Sequence, residues 1–240
     1  MGALARARCA VLSSAAIVLA GCTPAASHAP ASSGDIYVDM YRKLQPSMVL
    51  FTMDVPSDDP KRKGSLDEAY GSGIVVESGD WGSRILTDAH VVQDARHIVA
   101  HIGDARKAAA RVVAVSNDRD DVAILDAPVP HAPAVALGTS KGLAAGQPIG
   151  VMGYPIPDAF EDEHLGTKVS IYAGRIASVR DGSLELDVPI IPGESGGPVF
   201  DAGNGAIVGI AESRFDEERA IGFATPIDIA VKFLSAHPHR

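Results

Sequence analysis

The chain has 240 residues, a formal charge of −9 at pH 7, 24 Gly and 16 Pro, and only 5% aromatic residues. That length allows one large, well-buried domain or two small ones, and the turn-forming content fits many short strands better than a helix bundle. The acidic balance, more negative still if Arg6 and Arg8 leave with a leader, argues against nucleic acid and anionic lipid headgroups as partners.

Residues 1–21 carry the Arg6/Arg8 pair, an apolar run from Cys9 to Leu19, and then Leu19-Ala20-Gly21-Cys22. The run is shorter than the roughly 20 residues of a permanent membrane helix and has the layout of a secretory signal. It resembles a bacterial lipoprotein signal, which implies lipidation of Cys22 as the first mature residue and a lipid-anchored place on a bacterial cell-envelope membrane. With Cys9 removed and Cys22 acylated, no internal disulfide is expected. Residues 22–34, rich in Pro, Ala and Ser, read as a flexible tether, and folded structure is expected over residues 35–240.

Ile36, Met40 and Leu44 recur at helical spacing until Pro46, which predicts a short helix feeding a first strand at Ser47–Met53. Asp54–Glu68 reads as a polar exposed loop. Strand patterns follow at Gly73–Glu77, Arg84–Thr87, His97–Ile102, Ala109–Ser116 and Val122–Leu125, making a six-stranded first half over about 47–126. After the Pro-rich link Ala127–Pro133 a second series appears over about 134–226, at Pro148–Met152, Lys168–Val179, Leu184–Val188, Pro198–Phe200, Ala206–Ala211 and Ile221–Ala224. The expected fold class is therefore all-β, two packed six-stranded barrels, closed by a C-terminal helix at 227–236.

Three segments carry chemistry. Thr87-Asp88-Ala89-His90 ends a strand, Asp121-Val122-Ala123-Ile124-Leu125 begins one, and Gly193-Glu194-Ser195-Gly196-Gly197-Pro198 is a glycine-rich turn. A serine hydroxyl becomes a nucleophile when an imidazole takes its proton and a carboxylate orients that imidazole. His90, Asp121 and Ser195 supply those groups, in the chain order of double-barrel serine peptidases. Asp118 and Asp120 compete for the orienting role, but only Asp121 abuts the apolar strand. Gly193 lets the backbone turn so that the N–H groups of Gly193 and Ser195 form an oxyanion hole. A nucleophile elbow of the α/β-hydrolase kind would need its acid and histidine after Ser195, and a helix where Gly196-Gly197-Pro198 stands.

On these segments, with Leu44-Gln45-Pro46-Ser47-Met48-Val49, Gly71-Ser72-Gly73, Gly153-Tyr154-Pro155 and Ile221-Gly222-Phe223-Ala224-Thr225-Pro226, the chain resembles a trypsin-like peptidase of the bacterial HtrA/Deg type. The resemblance runs from about Leu44 to Pro226 and covers a protease domain without a PDZ domain. It implies a serine endopeptidase acting on proteins or peptides, with His90 as general base, Asp121 as orienting acid and Ser195 as nucleophile, and with no cofactor. The loop Arg180-Asp181-Gly182-Ser183 is shorter than is usual in that family, and Glu212 stands where the family places a Ser or Thr hydroxyl near the catalytic acid. A glutamate beside Asp121 would raise the pKa of one of the two acids. Two rivals follow: a pseudoprotease that binds peptides or a partner protein, and an esterase.

The expected primary pocket is Pro189, Ile190, Ile191, Gly222 and Phe223, apolar and suited to small or medium side chains, with Glu212 able to bias it. His97 and His101 would lie about 13 Å apart along a strand and read as surface. Glu161-Asp162-Glu163-His164 reads as a solvated rim loop, and no metal is expected.

Overall fold

The computed structural model describes residues 34–117, 119–212 and 221–239. The signal, Cys22 and the tether up to residue 33 lie outside the described residues, as does Asp118. No helix among those described is long and apolar enough to cross a membrane.

Helix α1 (Ile36–Leu44) starts at Asp35, whose carboxylate accepts the Tyr37 N–H at 3.0 Å, and buries Met40 and Leu44. It leads into β1 (Met48–Pro56), β2 (Leu66–Gly79) and β3 (Gly82–Thr87), then α2 (Ala89–Val92). Strands β4 (Arg96–Ile102), β5 (Arg106–Ala109), β6 (Arg111–Val115) and β7 (Ala123–Ala127) complete the first half. The second half holds β8 (Pro148–Gly153), α3 (Pro157–Asp162), β9 (Ser170–Arg180), β10 (Ser183–Leu186), β11 (Pro198–Asp201), β12 (Ile207–Glu212) and β13 (Gly222–Pro226), and α4 (Ile227–Ala236) follows.

The fold is all-β with helices at both ends, as expected. The second half is a closed six-stranded barrel in the order β10-β13-β12-β11-β8-β9. The first half differs from the expected six-stranded barrel: it is a seven-stranded sheet in the order β5-β4-β1-β2-β3-β7-β6. The extra strand is β5, which precedes the expected strand Ala109–Ser116 and shares only Ala109 with it. Residues up to Ala109 pair with β4, and those from Arg111 pair with β7 on the other side of the sheet. The expected polar loop is also shorter, because β1 and β2 continue their ladder out to Pro56 and Leu66. Polar residues on a solvated hairpin give no apolar alternation, so pattern alone cannot extend these strands.

Burial follows the pleat. In β4, Ile98, Ala100 and Ile102 are buried, whereas His97 and His101 turn to β1 and meet Asp54 at 2.7 Å and Thr52 at 3.1 Å. One apolar cluster fills the first sheet around Phe51, Ile85 and Leu125, and another fills the second barrel around Val151, Leu186 and Val199. A third joins the halves, bringing Leu50, Ile74 and Leu86 against Met152, Phe200 and Ile210. Beside that shared cluster run the middle of β2, the ends of β3 and β8 and the turn before β11, which carry the residues described next. Buried Arg84 of β3 ties down the chain end: it donates to Asp126 at 3.0 Å and to the carbonyl of His237, just past α4, at 2.7 Å.

Candidate active site

His90 lies in the single turn of α2, directly after β3. Its backbone N–H donates to Asp121 Oδ1 at 2.9 Å, and its Nδ1 stands 2.7 Å from Oδ2 of the same carboxylate. One carboxylate thus holds both the backbone and the ring of His90, leaving Nε2 as the outward nitrogen. Asp121 does not head β7 as the sequence implies but sits in the turn before it, at φ +45. Aspartate tolerates that left-handed backbone better than bulky residues. The turn is closed by Asp121 N–H to Asn117 O at 3.1 Å and Val122 N–H to Ser116 Oγ at 2.7 Å. Burial pushes the Asp121 carboxyl up. The hydrogen bonds and charge of His90, with a hydrogen bond from Glu212, outweigh burial and hold it below its ordinary value.

Ser195 is held beside the His90 segment through Ser72 of β2. The Ser72 N–H donates to Ser195 O at 2.8 Å and its hydroxyl to Gly193 O at 2.7 Å. Thr87, three residues before His90, donates to Ser72 O at 2.7 Å. Gly71 and Gly73 flank this hub because a Cβ at either would fall 2.4 Å from Val91 Cγ1 or 2.7 Å from the Phe51 ring. Sequence reasoning missed Ser72 as a positioning residue; the only signal was a serine between two glycines. Ile156 was missed as well. This β-branched residue is held at φ 33, ψ 60, and its N–H donates to Pro192 O at 2.8 Å. Because the peptide is planar and trans, fixing that carbonyl turns the Gly193 N–H to the opposite side, away from Ile156. Gly193 itself is at φ +91, a conformation that favours glycine.

Glu194, between Gly193 and Ser195, is 1% exposed. Its Oε2 accepts the Ile191 N–H at 3.0 Å, and Tyr172 faces it from β9. Burial dominates over both hydrogen bonds and pushes the carboxyl up to about 7 from 4.5. Unfolded, the group ionises near its ordinary value, so between those two pH values the folded chain keeps a proton that the unfolded chain releases. Stability from this group is full below the lower value and is lost as pH rises through the upper one. Glu194→Gln keeps the acceptor and cannot ionise. Its stability advantage over wild type should therefore grow by roughly 1–3 kcal/mol from about pH 4.5 to 8, read from urea midpoints. An advantage independent of pH would contradict this account.

Glu212, the last residue of β12, is buried and contributes to holding the Asp121 carboxyl below its ordinary value. Of the expected pocket residues, Ile190 is buried and packs on Gly222, where a Cβ would meet it at 2.7 Å; Ile191 and Phe223 are half-buried. Pro189 is exposed, which sets it apart from a pocket floor. A cleft of about 720 Å³ lined by Tyr70, His101, Tyr154, Glu161 and Lys168 contains none of His90, Asp121 and Ser195. Of the expected rim loop, Glu161 and Asp162 end α3 while Glu163 and His164 form the turn after it, and Glu161 accepts from Thr167 N–H and Oγ1 at 2.8 and 2.7 Å. Among the described residues, Asp88, His90 and Asp121 are the cluster of metal-ligating types within 4.8 Å of one another. Two of these already bind each other, and Nδ1 is taken up by Asp121.

A double β-structure with an acid-held histidine beside a glycine-turned serine defines a trypsin-like arrangement. The chain belongs to the trypsin-like peptidase domain family, whose profile matches residues 71–210. Among its relatives are probable periplasmic serine endoproteases described as DegP-like. That of Pseudomonas putida strain W619 is 33% identical over 182 residues, 73% of this chain and 36% of the relative. That of Pseudomonas fulva strain 12-X is 31% identical over 221 residues, 85% of this chain and 43% of the relative. The fold is shared with the solved HtrA-type protease AlgW with tripeptide, at TM-score 0.66 and 24% identity, covering 83% of this chain and 62% of that one. The serine endoprotease from Yersinia pestis gives TM-score 0.66 and 25% identity over 83% and 65% of the two chains. This chain spans little more than a third of the length of the first curated relatives.

Proposed function

We propose that this chain is a serine endopeptidase of the bacterial cell envelope that cleaves peptide bonds through an acyl-enzyme, with protein or peptide substrates and no cofactor. The observation that carries the reading is the double hold of the Asp121 carboxylate on His90, at 2.9 and 2.7 Å, beside a Ser195 turn pinned by Ser72. In this reading Asp121 keeps His90 in the tautomer with the proton on Nδ1, so Nε2 accepts the Ser195 proton as Oγ attacks the carbonyl. The Gly193 and Ser195 N–H groups stabilise the tetrahedral oxyanion, and His90 returns the proton to the leaving amine. Water then hydrolyses the acyl-serine by the same steps. The surroundings of Ile190, Gly222 and Phe223 favour small or medium apolar side chains at the cleaved bond.

Hydrolysis of matched peptide amide and ester substrates by wild type and Ser195→Ala tests the reading. Wild type should turn over both and the variant neither. Turnover of the ester alone would favour an esterase, and full amide turnover by the variant would sink the mechanism. The periplasmic relatives support export. Anchoring through a lipid on Cys22 rests on the Leu19-Ala20-Gly21-Cys22 pattern and on the roughly 0.8 kcal/mol that each buried methylene contributes. Detergent-phase partitioning should hold wild type in the detergent phase and release Cys22→Ser from it. Mature wild type in the aqueous phase would contradict a lipid anchor.

A further inference from the structure

Around Ser195 the chain makes two consecutive tight turns that share one residue. In the first, the Glu194 N–H donates to Ile191 O at 3.1 Å, with Pro192 and Gly193 at its centre and Gly193 at φ +91. In the second, the Gly197 N–H donates to Glu194 O at 3.0 Å, with Ser195 and Gly196 at its centre and Gly196 at φ +88. Glycine at positive φ in the third place, after proline in the first of these turns, is the pattern of a type II turn. Glu194 is the joint: its N–H closes one turn, its carbonyl closes the other, and the N–H groups of Gly193 and Ser195 lie on either side of it. Its side chain closes the first turn a second time, because Oε2 accepts the Ile191 N–H at 3.0 Å. Gly153 of β8 packs directly on the joint, where a Cβ would fall 2.9 Å from the Glu194 Cα.

The Glu194 carboxyl is enclosed: the residue is 1% exposed, and Oε1 is buried with no hydrogen-bond partner. β8 carries no titratable residue, and neither do residues 188–193. Tyr154, which follows β8, and Tyr172, which faces Glu194 from β9, are both phenols that burial pushes up, so both stay neutral. The cations of β9 are engaged elsewhere, Arg175 with Gly146 O at 2.8 Å and Arg180 with Glu185 at 3.0 Å. Among the described residues of these elements, none supplies a cation to Glu194. An enclosed carboxylate with an unpartnered oxygen is strongly disfavoured against its neutral form, in keeping with ionisation at about 7. Once ionised, the group is satisfied only in water, and so buried a side chain reaches water only by moving the joint that holds both turns.

We propose that Glu194, as a neutral carboxyl, is a positioning residue that locks the two turns presenting the Gly193 and Ser195 N–H groups to the oxyanion, and that losing its proton loosens both turns and lowers activity. The proposal rests on the Ser195-His90-Asp121 reading. It gives the pH profile two limbs, an acid one where His90 is protonated and an alkaline one that belongs to Glu194. The donors act on the transition state, so the alkaline loss falls on the rate of the chemical step and not on ligand affinity.

The test is saturation labelling of the full-length chain by a fluorophosphonate across about pH 5 to 10, for wild type, Glu194→Gln and Glu194→Met. The limiting rate constant of wild type should fall at least about tenfold from its plateau on the alkaline side, with the half-saturating concentration little changed. Glu194→Gln keeps the acceptor for the Ile191 N–H and cannot ionise, so it should hold its plateau without that fall. Glu194→Met, of similar length and with no comparable acceptor, should lie about tenfold or more below the wild-type plateau. A residue that only stabilised the fold would lower the fraction of chain that labels and leave the rate constant alone. An alkaline limb unchanged in Glu194→Gln, its absence from wild type, or wild-type rate constants in Glu194→Met would each overturn the proposal. If circular dichroism shows that Glu194→Met is unfolded, the Glu194→Gln profile decides alone. Folded wild type that labels at no pH would overturn the triad reading itself, whereas wild type that labels with the wrong profile would overturn only the role of Glu194.

Discussion

Asp121→Asn is expected to lower kcat on a peptide amide by about 10⁴-fold with little change in KM or in the folded spectrum. The His90 N–H needs an acceptor, and the oxygen 2.9 Å away supplies it. An asparagine meets that need only by turning its carbonyl to the backbone, which puts its NH₂ against Nδ1, where Asp121 Oδ2 now sits at 2.7 Å. Facing a donor, Nδ1 becomes the acceptor and the ring proton moves to Nε2. That tautomer cannot accept a proton from Ser195. Steady-state kinetics with a matched peptide checks this, and a loss smaller than about tenfold would mean that Asp121 does not set the tautomer of His90.

Gly193→Ala should cost about 10²- to 10³-fold in kcat, the usual effect of losing one oxyanion donor. Gly193 is at φ +91, and a Cβ there would lie 2.3 Å from Tyr154 O and 2.8 Å from Pro157 Cδ. Both contacts are with backbone or a rigid ring, so the turn itself must move, and the Gly193 N–H moves with it. Gly142→Ala is the control: φ is +80, and nothing lies within 4 Å of the added methyl. It should destabilise the fold modestly and leave kcat unchanged. Equal loss of kcat in both variants would show that backbone strain, not the displaced donor, is responsible.

Short-range pattern made most of the fold legible. Strands of β12 type, apolar and bounded by turn residues, announce themselves, and Ile36, Met40 and Leu44 mark α1. The hairpin extension of β1 and β2 escaped because its residues are solvated, and β5 escaped because Arg106-Lys107-Ala108-Ala109 is short and half-solvated, with no apolar alternation to mark it. His90, Asp121 and Ser195 can be singled out in the sequence because the chemistry proposed for them demands particular residue types in particular contexts. Ser72 cannot, because its hydroxyl acts on Gly193, 121 residues further along the chain, a contact that only the packing of the two halves creates. Ile156 likewise matters through its backbone N–H, which any residue but proline has.

The most direct measurement of the central claim is covalent. The full-length chain is treated with a fluorophosphonate at neutral pH, digested, and the adduct located by mass spectrometry. The account predicts one stoichiometric adduct on Ser195, absent from Ser195→Ala and strongly slowed in His90→Ala. A folded wild-type chain that carries no adduct, or carries it on another residue, would contradict it.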